Sequence, residues 1–266
     1  RSWKPLNRFM VRQRISSSPS GHDVSTLRLL DLTLPFPVEN LALDEALLEE
    51  LEERGGDPVL RFWESDRHFV VLGRASRVSD DVDLVACKEA GLSILRRTSG
   101  GGTVLQGPGC LSYAFVLPLD WHPDMMSIRT TNRFILERMA TALRQWEPAT
   151  AFRGISDLAI GDRKISGNAQ RRTGKALLFH GTILHGMGAD LVARYLKHPS
   201  REPDYRAGRL HRTFLRTINV PLQAIKQAIA NAWNAEPMHS EWPIARMPHT
   251  IAAVLARSRD EPSSAA

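Results

Sequence analysis

The sequence predicts an α+β domain in which mainly antiparallel, mixed sheets are flanked by helices. Short β-rich segments and helical segments follow each other without the regular alternation of a doubly wound fold. Between residues 150 and 185, strand-like segments alternate with tight turns at Gly161-Asp162 and Thr173-Gly174, which is the pattern of a meander. The 266 residues are enough for one large domain, and we find no internal repeat and no clear linker.

In the first half of the chain, the expected elements follow from apolar spacing and from residues that break regular structure. Pro35 and Pro37 separate a first strand from a helix that sets leucines and alanines against acidic residues, and Gly55-Gly56 ends that helix. Ser79 is placed to cap a second helix. We expect strands at residues 26–33, 59–64, 69–73, 92–97, 103–106 and 110–117, and helices at 39–54 and 79–90.

In the second half, the three strands of the meander stand between amphipathic helices. A polar, basic stretch at 200–212 is expected to be a mobile loop. We expect strands at residues 155–160, 164–170 and 176–184, and helices at 127–146, 189–197, 222–234 and 244–257.

Both ends of the chain are expected to lie outside the folded domain. Residues 1–25 are basic and Ser-rich, with no acid before Asp23, and we expect them to be disordered. Such a segment is typical either of an organelle transit peptide or of a bacterial extension. The domain is expected at residues 26–258, followed by a tail at 259–266.

Composition excludes several classes of protein. No apolar segment is long enough to cross a bilayer, and a net charge of +6 favours acidic partners, although much of the excess lies in the first residues. Two cysteines, Cys87 and Cys110, without CxxC spacing argue against a disulfide framework or a zinc site. A reducing cytoplasm is the simplest location, and an organelle is the alternative if the leader is a transit peptide.

The stretch most indicative of ligand binding is Arg96-Arg97 followed by the triplet Gly100, Gly101 and Gly102. Glycine lets a ligand lie directly on the main chain, and guanidinium groups bind phosphate or carboxylate as rigid forks. Because adjacent strand residues point to opposite faces, one arginine would reach the ligand while the other braces the sheet. The alternative is a structural turn beside two surface charges. The spacing fits neither a P-loop nor a dinucleotide fingerprint.

A second segment, residues 157–170, is expected to supply catalytic charge. Lys164 is followed by small residues, including Gly167, that leave space for a ligand, and its compact charge would stabilise a phosphate or a leaving group. Asp157 would hold a magnesium-bound nucleotide. The alternatives are a solvated hairpin lysine and a carboxylate paired with Arg153 or Arg163.

Two further polar residues interrupt apolar strands. His180 stands beside a glycine, where a histidine hydrogen-bonded within the sheet is the commoner outcome. Cys110 follows a Gly-Pro-Gly turn without a basic neighbour, so we expect a buried apolar residue. There is neither an HExxH metal pair nor a GxSxG nucleophile elbow.

Several motifs occur together in a recognisable order. They are Arg96-Arg97-x-Ser-Gly-Gly-Gly-x-Val, Asp157-Leu158, Arg163-Lys164-Ile165-Ser166-Gly167-Asn168-Ala169-Gln170 and His180-Gly181-Thr182-Ile183-Leu184. This combination resembles the lipoate–protein ligase A family of the biotin/lipoate ligase superfamily. The resemblance includes residues 39–45 and 61–74 and runs from about residue 27 to residue 196.

The resemblance implies a biotin/lipoate-ligase-like catalytic domain and an ATP-dependent lipoate–protein ligase. Lipoate and Mg·ATP would form lipoyl-adenylate, which a lysine of an acceptor domain then attacks. By motif position, Lys164 would be catalytic, at the reacting carboxylate and α-phosphate, and Asp157 would be the candidate metal ligand. The implied substrate- and ATP-binding residues are Arg97, Gly100, Gly101, Gly102, Thr103, Val104, Leu105, Asp157, Gly167 and His180.

The resemblance also implies cofactors and partners: ATP and Mg²⁺ with lipoate as substrate, and acidic lipoyl domains of 2-oxoacid dehydrogenase E2 subunits or glycine cleavage H protein. Neither nucleic acid nor a membrane is expected. The segment after Leu196 is shorter than the separate C-terminal domain of many ligases. Two arrangements therefore stay open, in which the chain acts alone or with a small accessory subunit.

The nearest alternative is an octanoyl or lipoyl transferase, which takes its acyl group from acyl carrier protein or from another lipoylated protein. Octanoyltransferases use a cysteine thioester, and the corresponding places here, residues 151–152 and 198–200, hold no cysteine, which favours the ligase. Gln106 replaces the family's usual histidine, and Cys110 a common asparagine. A non-catalytic acyl-binding partner is the third alternative, against which Lys164 and the intact glycine loop argue.

Overall fold

The computed structural model describes residues 26–199, 201–239 and 241–259. The predicted extension 1–25 and all of the tail but residue 259 lie outside these ranges. The strands are β1 (Arg28–Asp31), β2 (Val59–Trp63), β3 (Phe69–Leu72), β4 (Ser93–Arg96), β5 (Val104–Gln106), β6 (Cys110–Pro118), β7 (Thr150–Arg153), β8 (Asp157–Ile160), β9 (Arg163–Arg172), β10 (Ala176–Leu184) and β11 (Glu236–Pro237). The helices are α1 (Pro37–Arg54), α2 (Val78–Asp81), α3 (Leu84–Glu89), α4 (Ile128–Leu143), α5 (Ala189–Tyr195), α6 (His211–Phe214), α7 (Leu222–Ala232) and α8 (Met247–Arg259).

The strands form two sheets. The larger has eight strands in the order β11-β1-β2-β6-β10-β9-β8-β7, and the smaller has the order β4-β3-β5. Most neighbours are antiparallel, while β1 pairs in parallel with β2 and β11, and β3 pairs in parallel with β4. The predicted α+β class with mainly antiparallel, mixed sheets is confirmed, and so is the meander of β8, β9 and β10.

The large sheet is covered on both faces, which explains why every residue of β6 except its last is buried. Ala114 and Val116 face a cluster formed with the leucines of α1. Phe115 and Leu117 face the opposite cluster, which includes residues of α4 and α7. A third cluster joins the small sheet to α5 and α6. Members of all three clusters line the cavity described below.

A buried ion pair fixes α1 on the large sheet. The Arg61 guanidinium of β2 donates to Asp44 Oδ1 at 2.6 Å, to the Asn40 carbonyl at 2.8 Å and to Asn40 Oδ1 at 2.7 Å. Both charged side chains are almost fully buried. Removing one partner would leave an uncompensated buried charge, so the pair holds α1 in one register.

The prediction of one helix at 79–90 is wrong, because the chain breaks into α2 and α3. Val82 forms a β-bridge with Leu196, and the Asp83 amide donates to the Tyr195 carbonyl at 2.9 Å. Asp83, rather than Ser79, then caps α3 by accepting from the Ala86 amide at 2.9 Å. Contacts with a distant part of the chain therefore override the local helical pattern.

Other boundaries also differ from those predicted. Strand β8 begins two residues later than expected, because Ile155 lies in a turn with its side chain 77% exposed. Strands β7 and β11 were not predicted, and the segment 200–212, expected to be a loop, contains the first two of the four residues of α6. None of the described helices is both long and apolar enough to cross a membrane.

Candidate active site

A cavity of about 430 Å³ opens between the two sheets. This volume is in the range of small-molecule sites. Its walls come from the glycine loop, from β5, β6, β9 and β10, and from residues of the segment that follows α5. The predicted site residues that line it are Arg97, Gly101, Gly102, Thr103, Val104, Leu105, Asp157, Lys164, Gly167 and His180. Gly100 is absent from this lining, and its carbonyl instead accepts a hydrogen bond from Arg97.

Lys164 reaches the cavity from the start of β9, beside a bulge in the β8–β9 pairing. Its ammonium lies 2.8 Å from Asp157 Oδ1, so Asp157 pairs with Lys164 rather than with Arg153 or Arg163. The other oxygen of Asp157 accepts from the Tyr205 hydroxyl at 2.8 Å. Burial and the neighbouring Asp157 carboxylate raise the pKa of Tyr205, which keeps this hydroxyl protonated as a donor.

Gly167 provides the space that the lysine occupies. A Cβ atom at this position would lie 2.8 Å from Lys164 Nζ. Any side chain here would therefore displace the ammonium, which explains the glycine two residues after Ile165.

Asn168 fills the space beside another glycine, on the neighbouring strand. A Cβ atom on Gly181 would overlap the Asn168 side chain, whose Oδ1 accepts from the Tyr113 hydroxyl and whose amide donates to the Ser156 carbonyl at 2.8 Å. Asn168 thus links β6, β9 and the turn before β8. Asn168 belongs to one of the motifs that carry the family resemblance, but the sequence analysis assigned no role to this residue.

Arg97 shapes the glycine loop from within. Its Nη2 donates to the carbonyls of Gly100 at 2.6 Å and Gly102 at 2.8 Å, and its Nε donates to Ser99 Oγ at 3.0 Å. Burial lowers the pKa of Arg97 to about 10, so the group remains charged at neutral pH. Gly101, at φ +86°, takes a conformation that other residues rarely adopt. The nucleotide contact expected of Arg97 stays a prediction.

Arg96 braces the sheet, as expected for one of the two arginines. Its Nη1 donates to the Ser76 carbonyl at 2.6 Å, and its Nε donates to the Arg257 carbonyl at 3.0 Å. The Arg96 amide also donates to Ser258 Oγ at 2.9 Å. The end of α8 therefore supports the strand that leads into the glycine loop.

His180 joins β10 to the glycine loop. Its Nε2 lies 2.6 Å from Ser99 Oγ, which confirms the interpretation of a hydrogen-bonded histidine within the sheet. Burial and, to a lesser extent, the charge of Arg97 lower the pKa of His180 to about 3. The imidazole is therefore neutral at physiological pH.

The loop leaves the cavity through Thr103, whose hydroxyl donates to Asp81 Oδ2 at 2.6 Å. This bond ties the far end of the glycine loop to α2. Val104 and Leu105 follow and present the cavity with apolar surface.

Both cysteines are buried and unpaired, and neither lines the cavity. Burial raises the pKa of the Cys110 thiol to about 12, which suppresses the reactive thiolate. The expectation that Cys110 is a buried residue is confirmed.

No feature of the sequence pointed to Tyr205, which lies in the expected loop, 48 residues after the carboxylate that it contacts. For metals, no group of three His, Cys, Asp or Glu side chains within 26–199, 201–239 and 241–259 is arranged to hold an ion. Both oxygens of Asp157 are engaged, so these residues do not fit a preformed Mg²⁺ site.

Together, the fold and the site place a lysine and a glycine loop at one cavity between the two sheets. A family model described as the lipoyl protein ligase A/B catalytic domain matches residues 37–233. The chain belongs to this family. The predicted relationship to lipoate–protein ligase A is therefore confirmed.

Relatives with curated names include both ligases and transferases. An octanoyltransferase LipM of Moorella thermoacetica is 33% identical over 195 residues, which are 66% of this chain and 71% of the relative. A LipM of Carboxydothermus hydrogenoformans is 32% identical over 200 residues, which are 69% of this chain and 74% of the relative. A probable lipoate-protein ligase A of Mycoplasma genitalium is 29% identical over 160 residues, which are 60% of this chain and 46% of the relative. These relatives favour the octanoyltransferase alternative over the ligase prediction.

Solved structures show the same fold. Lipoate-protein ligase A bound with ATP superposes with a TM-score of 0.72 at 24% identity, covering 85% of this chain and 94% of the other. A bi-partite lipoate protein ligase from Thermoplasma acidophilum gives a TM-score of 0.73 at 23% identity, covering 86% and 92%. At these identities the likeness supports the architecture alone.

Proposed function

We propose that this protein attaches a lipoyl or octanoyl group to a lysine of a lipoyl domain. The observation that carries the proposal is the single cavity shared by Lys164, the glycine loop and extensive apolar walls. An apolar wall suits the acyl chain, while an ammonium and backbone amides suit an activated carboxylate. The family membership of the chain supports the same chemistry.

Lys164 would act as a fixed positive charge at the reacting carbonyl. Its pairing with Asp157 at 2.8 Å holds the ammonium in one place without a large reorganisation during reaction. The Tyr205 hydroxyl orients Asp157 from the other side. Catalysis would rest on positioning and electrostatic stabilisation, with Gly101, Gly102 and neighbouring backbone groups against the substrate.

The first candidate route uses ATP. The carboxylate of the fatty acid attacks the α-phosphate, pyrophosphate leaves, and the amine of the acceptor lysine then displaces AMP from the mixed anhydride. We favour this route on one observation: the thiols of Cys87 and Cys110 both lie outside the cavity lining. The contacts expected for Arg97 with the nucleotide and for Thr103 with the adenylate belong to this route. Mg²⁺ would enter the site together with ATP.

The second candidate route takes an octanoyl group from a carrier-protein thioester. The octanoyltransferase names of several relatives favour it. Without a thiol in the cavity, the acceptor lysine would attack the donor thioester directly, and Lys164 would stabilise the developing oxyanion. The choice between free acid and carrier thioester is therefore the point that an experiment must decide.

The test uses the full chain with a lipoyl domain as acceptor. One reaction supplies ATP with free lipoate or octanoate, the other supplies octanoyl carrier protein without ATP, and mass spectrometry of the acceptor reports the acyl group. We expect modification with ATP and free acid. Modification from the carrier protein alone would establish the transferase route, and no modification in either reaction would refute the proposed function.

A lysine variant tests the assignment of the site. Lys164→Ala should lower acceptor modification by about 100-fold or more, the usual effect of removing a group that stabilises developing charge. Lys88→Ala, at an exposed position on α3, is the matched control and should retain activity. Near-normal turnover of Lys164→Ala would remove this lysine from the mechanism.

A further inference from the structure

Three large apolar side chains are exposed near the mouth of the cavity. Met126, Ile128 and Ile155 are 72%, 56% and 77% exposed. Ile155 also lines the cavity, as do the exposed Gly101 and Gly102 of the glycine loop, so it stands at the opening. Single exposed apolar residues are ordinary on protein surfaces, whereas neighbouring ones rimmed by charged residues are typical of interaction sites.

Side-chain hydrogen bonds hold these apolar residues on one surface. Asn132 of α4 donates to the Ile155 carbonyl at 2.9 Å, and its Oδ1 accepts from Gln170 at 2.7 Å. Gln170 also donates to the Ile128 carbonyl at 3.1 Å. Ile128 and Arg129 precede Asn132 by four and three residues, the spacing that places helical residues on one face. The first turn of α4 and the turn before β8 are therefore fixed side by side.

The turn that carries Ile155 leads directly to the catalytic lysine. A Cβ atom on Gly154 would lie 3.4 Å from the ring of Tyr205, so the turn packs against the side chain that holds Asp157. Asp157 follows Ile155 by two residues, and Lys164 Nζ lies 2.8 Å from its carboxylate. Two residues of extended chain span about 7 Å, a length that the flexible stem of a lysine side chain can cover. A protein seated at this turn can therefore deliver its own lysine to the cavity.

The charges around these apolar side chains favour an acidic partner. Arg129 lies in the first turn of α4 and Arg153 ends β7 beside the turn, and both are exposed. Neither forms an ion pair with a residue that the structure describes. The acidic residues nearest to Arg129 in the sequence, Asp124 and Glu137, are each paired with another side chain. Opposite charges across an interface orient the partners and speed their encounter, so carboxylates on the partner complement this surface.

We propose that the acceptor lipoyl domain docks on Met126, Ile128, Arg129, Arg153 and Ile155, through an apolar contact flanked by carboxylates of that domain. This inference rests on the proposed function, which supplies the acceptor. The domain sits across the first turn of α4 and the turn before β8, and its lysine enters the cavity past Ile155. Apart from Ile155, the residues of this docking surface lie outside the cavity lining, which separates acceptor binding from the chemical step.

The test measures the KM of a lipoyl domain for the full chain, with saturating ATP and lipoate or with saturating octanoyl carrier protein. The variants are Ile128→Asp and Arg129→Glu, which place an acid in the first turn of α4, where the helix dipole favours negative charge and the fold is retained. We expect each variant to raise the KM for the acceptor about 10-fold, because a carboxylate then faces the carboxylates of the partner. The kcat should stay within about 2-fold, and the KM for the acyl donor should not change.

The matched controls are Ile244→Asp and Lys88→Glu, which alter an exposed apolar residue and an exposed basic residue on other elements. Both should keep the KM of the unaltered protein. An acceptor KM that neither Ile128→Asp nor Arg129→Glu changes, or a rise confined to the KM of the carrier-protein donor, overturns the docking surface while acyl transfer itself stands.

Analytical ultracentrifugation tests a second copy of the chain as the occupant. A dimer of the unaltered protein that Ile128→Asp dissociates would assign the surface to that copy and overturn the proposal, whereas a monomer in both proteins supports it. If the acceptor is modified from neither donor, the proposed function fails and the docking surface falls with it.

Discussion

His180 should make the protein less stable in mild acid, by an amount that follows from its surroundings. Burial and Arg97 lower its pKa to about 3 in the folded protein, from 6.5 for an unperturbed histidine. Between about pH 6.5 and pH 3, His180 therefore binds a proton in the unfolded chain but stays neutral in the folded protein. Stability from this group is complete above pH 6.5 and is lost progressively as the pH falls. Between pH 7.5 and 5.0 the free energy of unfolding should fall by about 2 kcal/mol. Only the interval from pH 6.5 to 5.0 contributes, which is about 1.5 pH units at about 1.36 kcal/mol each.

The assay is urea unfolding of the unaltered protein and of His180→Gln at a series of pH values. The glutamine amide can replace the imidazole Nε2 that contacts Ser99 Oγ, and it does not titrate. The difference in unfolding free energy between the two proteins should shift by about 2 kcal/mol in favour of the variant as the pH falls from 7.5 to 5.0.

The unfolding free energies of the two proteins must be compared, because another buried group changes stability with pH in the opposite direction. Burial raises the pKa of Glu45 to about 7, so its contribution to stability improves in acid. This contribution is common to both proteins and cancels, since neutral His180 and glutamine carry the same charge. His249→Gln, at an exposed position, should follow the unaltered protein. Parallel pH curves for the unaltered protein and His180→Gln would refute the argument from burial.

Two further substitutions test the geometry of the site. Gly167→Ala should lower acceptor modification by about 100-fold with little change in Tm, because the new methyl group would lie only 2.8 Å from the present position of Lys164 Nζ and would displace the ammonium. Gly188→Ala, where a Cβ atom meets open space, is its control, and equal activity of the two variants would contradict the crowding argument. Cys110→Ala should keep ATP-dependent turnover within about 2-fold while costing about 1 kcal/mol of stability through the small cavity it leaves. A folded but inactive Cys110→Ala protein would point instead to a thioester.

The sequence predicted those parts of the fold and site that depend on local pattern. Alternating apolar residues and two-residue turns gave the meander, and the small residues after Lys164 indicated a lysine with open space beside it. The hydrogen bond of His180 was expected from its place in an apolar strand. These features are decided within a few residues of chain, where strand alternation and turn chemistry act.

The features that were missed depend on residues far apart in the chain. The break between α2 and α3 needs Leu196, and the support of Asp157 needs Tyr205, 48 residues later. The Arg97 side chain points into the glycine loop because the carbonyls of Gly100 and Gly102 accept its hydrogen bonds there. The charge pattern of the sequence does not reveal these contacts.

The helix at the end of the chain gives the glycine loop a second point of attachment. The family match ends at residue 233, whereas α8 begins at Met247 and meets the strand before the loop through Arg257 and Ser258. Shortening the protein to the matched region would therefore remove a support of the glycine loop, even though every residue of the recognised motifs remained. The limits of a homologous region and the limits of a folded domain need not coincide, and in this chain β1, β11 and α8 all lie outside the matched residues.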